Sequence, residues 1–323
     1  MPHWKTILTY DGSPYNGWQI QPALPTVQGT LAQAIHRITG ETVLPQGSGR
    51  TDTGVHALAQ VATFSLTVPI PAANLHRALN RALPPSIRIL SVEPVPEDFH
   101  ARHSARRKTY EYRILPCESH PEDRICPPML APYVWAYRFP LELAPLQQAA
   151  THILGTHDFT SFAAVDPDLT TRLKTSSESV PAVAPTSPTV SSPSQPNKEI
   201  VTTEGEPQPN KKVVISTEGG ASPAAVERPP HSFSTPNEPS TIPTDNTRTV
   251  FHSAWHQRED ILIYRVTGSG FLHHMVRNLV GTFVETANSH DPDVIPKILA
   301  ARNRSAAGPT APARGLFLVE VEY

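Results

Sequence analysis

The stretch from Asp166 to Thr247 constrains the fold most, because it has little to offer a hydrophobic core. It carries 14 of the chain's 36 prolines, many serines and threonines, and a single aromatic residue, Phe233. Such a composition buries too little apolar surface to offset the entropy of ordering its backbone. It reads as a disordered Pro/Ser/Thr-rich insertion over residues 166–247. The core of this 323-residue chain must then come from what lies on either side. The net charge of −2 is redistributed by the same division. The insertion holds 6 Lys/Arg and 10 Asp/Glu, so the remainder carries +2. Local clustering of charge, more than the sum, decides whether a surface suits nucleic acid.

Outside the insertion, strand and helix patterns alternate. His3 to Tyr10 reads as a strand. Leu31, Ala34, Ile35 and Ile38 recur at helical spacing, and Gly40 stops that helix. Ala62, Phe64 and Leu66 alternate with Val61, Thr63 and Ser65 as a strand does. A second helix follows Pro71, with Leu75, Ala78, Leu79, Ala82 and Leu83 on one face, and Pro84-Pro85 ends it. Ile87 to Val92 is the next strand. The order predicts an α/β layer with helices on one face of a sheet.

Gly47-Ser-Gly-Arg-Thr-Asp-Thr-Gly-Val-His-Ala57 packs an acid, a base and three glycines into a kinked segment. Glycines permit φ > 0 and close approach of backbone or ligand. Asp52 is therefore expected on a tight loop, with Arg50 two residues before it. A lone Asp-x-Gly is more often a capped turn, so the rest of the chain matters.

Four further segments stand out. Phe99 to Arg113 places Arg102, Arg106, Arg107 and Lys108 just before a strand that contains Tyr110. A solvated edge that blocks aggregation and a phosphate-contacting patch fit that cluster equally well. Gly155-Thr-His-Asp-Phe-Thr-Ser-Phe162 reads as a helix exit. Gly268-Ser-Gly-Phe-Leu-His-His-Met-Val-Arg-Asn-Leu-Val-Gly281 reads as a strand, a turn and a helix. It lacks the third glycine of a dinucleotide fingerprint. On a helix, His273 and His274 would point about 100° apart, which argues against a shared metal. His274 and Arg277, at i,i+3, would face a cleft together. Thr310 to Leu316 precedes a final strand, Phe317 to Tyr323. Cys117 and Cys126 lack the spacing of a zinc site or a redox pair. No apolar run approaches membrane-spanning length and residues 1–20 hold no signal-peptide core, so a soluble cytoplasmic protein is expected.

These segments, with Tyr10-Asp-Gly and Gly17-Trp-Gln near the start, resemble the TruA family of tRNA pseudouridine synthases, in the family's order. The resemblance spans the chain outside the insertion, where the family has a much shorter connection. It implies Asp52 as the catalytic carboxylate, acting as nucleophile or base, with Arg50, Tyr110 and Arg277 in support. Tyr110 would stack on the uracil and assist proton removal at C5. Beside the resemblance, the Arg102–Lys108 cluster reads as RNA-binding, as does His274. The implied fold is α+β: two α/β halves with mostly antiparallel sheets joined side by side into one extended sheet, helices on one face and the site in the cleft between. The halves are expected at 1–108 and at 109–165 with 248–323. The implied reaction converts uridines 38, 39 and 40 of the tRNA anticodon stem-loop to pseudouridine, with no cofactor and no metal, in a homodimer. A tRNA-binding chaperone without chemistry and a ribonucleoside N-glycosidase are the rival readings.

Overall fold

The computed structural model describes residues 1–116, 125–164, 245–289 and 291–323. Cys117 and most of the expected insertion lie outside them. Among the described residues there are ten strands: β1 (His3–Tyr10), β2 (Gln46–Gly47), β3 (His56–Ser65), β4 (Ile87–Val95), β5 (Arg107–Pro116), β6 (Trp135–Tyr137), β7 (Gly155–Asp158), β8 (Thr247–Arg258), β9 (Ile261–Gly268) and β10 (Leu316–Glu322). Five α-helices accompany them among the described residues: α1 (Val27–Thr39), α2 (Ala72–Ala82), α3 (Leu143–Thr151), α4 (Met275–Ser289) and α5 (Ile295–Ala301).

Sequence chemistry accounts for most of these elements. β1 buries Trp4, Thr6, Leu8 and Tyr10 and leaves the alternate residues less covered, the pattern of a sheet packed on one face. The Thr26 side chain caps α1 by accepting from Gly29 N, and Gly40 ends it at φ 75°. Leu75 and Leu79 are the buried residues of α2. In contrast, α4 buries 11 of its 15 residues. Its Phe283 packs edge-on against Trp255 and Tyr264. Each fully buried side chain of this size contributes about 1.5–3 kcal/mol. No helix of the described residues is long and apolar enough to cross a membrane.

The strands form one extended sheet in the order β4-β1-β3-β10-β5-β9-β8-β7, with β2 on β3 and β6 on β5. Every pairing is antiparallel except β10 with β3 and β6 with β5. The last strand of the chain thus lies between β3 and β5. In register, Phe317 and Leu318 pair with His56 and Ala57 on one side, and Leu318 pairs with Tyr110 on the other. Two strand spacings, about 10 Å, therefore separate the strand that follows the Asp52 loop from the strand that carries Tyr110.

Three boundaries differ from the sequence reading. β8 begins at Thr247, inside the expected insertion, because Asn246 O already accepts from Phe159 N at 3.1 Å. His56, assigned to the loop, is the first residue of β3. The helix after Gly270 starts only at Met275, because His274 adopts φ 59°.

Candidate active site

The Asp52 loop is held by a layer of buried hydrogen bonds. Tyr10 Oη lies 2.8 Å from Thr51 Oγ1. Gln60 Nε2 donates to Gly49 O at 2.9 Å, and Ser48 Oγ donates to Gln60 Oε1 at 2.6 Å. Ser48 and Gln60 are fully buried, so each bond left unmade would cost the full desolvation of its group. The loop after β1 clasps the other side, where Trp18 N donates to Thr51 O at 2.9 Å. Gly17, at φ 83°, makes that approach possible: a Cβ there would lie 2.6 Å from Thr51 O. His56 faces away from the carboxylate. Its Nδ1 accepts from Gly12 N and its Nε2 donates to Pro132 O, while its ring stacks on Phe317. Burial pushes the His56 pKa down and keeps that tautomer neutral.

Asp52 stands clear of this scaffold, 23% exposed. Its Oδ2 accepts from Arg277 Nη1 at 2.9 Å across 225 residues of sequence. His274 Nε2 lies 3.2 Å from the same oxygen. Oδ1 has His273 Nε2 at 3.6 Å, beyond hydrogen-bond reach. Arg277 is aimed by its other nitrogen, with Nε donating to Ala311 O at 2.8 Å. Ala311 N returns a bond to Arg277 O. The closing segment Thr310 to Leu316 thus anchors the arginine that grips Asp52.

The two histidines reach Asp52 by a route that differs from the sequence argument. They precede α4, and the left-handed turn at His274 brings both rings onto the carboxylate, 3.9 Å apart and tilted by 32°. Asp52, His273 and His274 offer three ligand atoms within 4.8 Å of one another. The helical geometry used to set a metal aside therefore does not apply. A different reason does: the fixed charge of Arg277 already sits on Oδ2 and would oppose a cation there. Burial is also the main cause that pushes the His274 pKa down, with the Asp52 charge working against it and His273, Arg277 and Arg304 adding to it.

The carboxylate forms part of the wall of a cleft of about 630 Å³, shared with Arg50, Arg102, Lys108, Tyr110 and Phe271. The Tyr110 ring meets Phe271 edge-on at 5.0 Å. Burial, and then the nearby Tyr10 and Asp52, push the Tyr110 hydroxyl far above its usual range. It is a proton donor at neutral pH. To remove a proton itself, the hydroxyl would have to become a phenolate beside a carboxylate. Arg50 lines the cleft, and Arg277 makes an ion pair with Asp52.

The basic cluster divides. Arg102 and Lys108 line the cleft. Arg106 and Arg107 lie outside it and are exposed. Arg107 approaches Glu322 at 3.9 Å and lies over Phe251. Asp158 and Ser161, in the segment after Gly155, bond to Thr160 and to Ile298 O and so brace the fold. Sequence reasoning weighed His273 only as a metal ligand and passed over Phe271 and the layer beneath the loop. A signal for that layer existed: Gln60 interrupts the apolar run of β3.

Nothing in packing requires a charged carboxylate to be exposed in a cleft and braced from two sides. The arrangement is that of an α+β protein with one braced carboxylate at the wall of a cleft. Comparison with known proteins is specific on the rest. The family described as tRNA pseudouridine synthase matches residues 7–104 and 231–323. The tRNA pseudouridine synthase A of Solibacter usitatus (strain Ellin6076) is 39% identical over 319 residues, covering 99% of this chain and 98% of that protein. The protein of the same name from Moorella thermoacetica is 35% identical over 326 residues and covers both chains completely. The chain belongs to the tRNA pseudouridine synthase family.

Proposed function

We propose that the protein isomerises uridines 38, 39 and 40 of the tRNA anticodon stem-loop to pseudouridine. The observation that carries this reading is the Asp52 carboxylate, bound through Oδ2 by Arg277 and lining the same cleft as Tyr110. A uridine stacked in a stem cannot reach that carboxylate, so the nucleotide is extruded into the cleft. Asp52 Oδ1 starts the reaction as nucleophile or base. The N1–C1′ bond breaks, the uracil turns, and C5 bonds to C1′, with the C5 proton passing to N1 through solvent or a cleft base. Atoms balance without a redox partner or a nucleotide. Arg277 keeps the carboxylate paired while charge moves, Tyr110 stacks on the base and donates a hydrogen bond to it, and Arg50 faces the extruded nucleotide. Arg106 and Arg107 hold the stem by its phosphates. The protein acts as a homodimer on tRNA.

The test is incubation of an unmodified anticodon stem-loop with wild type and with Asp52→Asn, followed by nucleoside mass spectrometry. Wild type is expected to yield pseudouridine at 38–40 and no free uracil. Free uracil would mean an N-glycosidase. Tight binding without product would mean a chaperone.

A further inference from the structure

Lys108 is set apart from the cluster in which the sequence places it. It lies on β5 two residues before Tyr110, so both side chains leave the same face of the strand. Its Nζ donates to Ser48 O at 2.5 Å, at the edge of the Asp52 loop. A Cβ built on Gly49 would lie 3.4 Å from that ammonium and 3.9 Å from the Tyr110 hydroxyl, so the two polar heads sit side by side over one glycine. An ammonium has three donors. The Ser48 carbonyl takes one, and no carboxylate of the described residues pairs with it.

A partly buried cation with spare donors and no counterion is costly unless something completes it. Arg102 lines the same cleft and is close enough for its charge, after burial, to help push the Lys108 pKa down to about 8. Two cations converging without an acid between them favour an anionic ligand over a neutral uracil carbonyl.

We propose that Lys108, with Arg102, seats the backbone phosphate of the extruded uridine itself, inside the catalytic cleft, whereas Arg106 and Arg107 meet phosphates of the stem. This rests on the reading of the cleft as the seat of a flipped uridine. The Ser48 bond then couples phosphate binding to the Asp52 loop: the ligand that fills the spare donors also fixes the lysine that holds the loop's first residues.

The test is a thermodynamic cycle on stem-loop RNA. One uncharged methylphosphonate linkage is placed either 5′ or 3′ to the target uridine, or in the stem. Proteins are wild type, Lys108→Met and Arg106→Ala/Arg107→Ala, with Lys108→Gln in reserve should the methionine variant fold poorly. For wild type, one of the two target linkages is expected to raise Kd by about 10- to 100-fold, the worth of a hydrogen bond to a charged group. In Lys108→Met the same replacement should cost almost nothing, because its partner is already gone. In the double arginine variant it should keep its full effect. Which linkage responds identifies the 5′ or the 3′ phosphate. The proposal is overturned if the penalty survives in Lys108→Met, or if neither target linkage matters while kcat falls, which would make Lys108 a contact to the uracil. Conversion of the unmodified RNA by wild type is scored separately. Its absence would sink the isomerase reading rather than this one.

Discussion

The Asp52 loop and the Gly268–His274 turn meet at one carboxylate but are secured by opposite means. The loop rests on Tyr10, Ser48, Thr51 and Gln60, all buried and bonded to one another or to loop backbone. The turn is held mainly by backbone bonds: Ser269 N to Thr249 O, Met275 N to Leu272 O, and Ala164 N to His273 O. Its histidines remain about 30% exposed, and His274 takes a left-handed conformation that costs a non-glycine residue about 1–3 kcal/mol. The comparison teaches that the Asp52 carboxylate is held from below by a buried polar layer, while its partners come from a less buried segment. Electrostatic work of this kind depends on dipoles and charges fixed in advance.

The largest effect should come from the carboxylate at the meeting point. Asp52→Asn is nearly isosteric and is expected to lower turnover by about four orders of magnitude or more, as loss of a central catalytic group does. Its tRNA Kd should stay within a few-fold. Measurable turnover at high enzyme concentration would remove Asp52 from the chemistry. Arg277→Met comes next. It strips the cation from Oδ2, and kcat should fall by about 10²–10³ with little change in KM, the scale expected when one preorganised charge is removed. An effect confined to KM would make Arg277 an RNA contact.

The contrast between loop and turn is sharpest in stability. Gln60→Leu leaves the buried Ser48 Oγ and the half-buried Gly49 O without their partner, and about 2–3 kcal/mol of stability should be lost in a denaturant melt. His274→Ala, on the less buried turn, should cost no more than about 0.5 kcal/mol while still lowering kcat. The reverse ranking would break the comparison.

A smaller, pH-dependent effect is expected at Lys108, whose pKa is pushed down to about 8, mostly by burial. Its charge is lost as pH rises through that value, so kcat/KM for tRNA should decline there through one ionisation. The unfolded lysine stays protonated up to its ordinary value of 10.5, so between the two pKa values the unfolded state binds more protons and stability should rise with pH. Binding and stability thus move in opposite directions in one window. Lys108→Arg should abolish the alkaline decline. A decline that persists in that variant would assign it to another group. The smallest effect is expected from Arg106→Ala/Arg107→Ala. The slope of log K against log salt should flatten by roughly 0.7–0.9 for each phosphate that is no longer neutralised, with kcat unchanged. An unchanged slope would return both arginines to a solvated edge of the β5 strand.

Much of this molecule was legible in its sequence because the relevant signals are local. Helix ends at Gly40 and Pro84, the alternation of β1 and β3, and the crowding of glycine around Asp52 follow from backbone sterics and from side-chain period. Arg277 was legible from the sequence, beside Arg50, as a candidate cation for the Asp52 carboxylate, and the structure places its Nη1 2.9 Å from Oδ2. Tertiary structure decided the rest, since it depends on which distant groups share a low-dielectric space. The insertion of β10 between β3 and β5 sets the distance from Asp52 to Tyr110. The left-handed turn at His274, uncommon for a non-glycine residue, turns two histidines that a helix would splay apart onto one carboxylate. The four basic residues that read as one patch are divided, because Arg102 and Lys108 line the cleft while Arg106 and Arg107 stay exposed outside it, and Lys108 is half-buried beside the Asp52 loop. Charge can be counted from a sequence, but its dielectric surroundings exist only once the chain has folded.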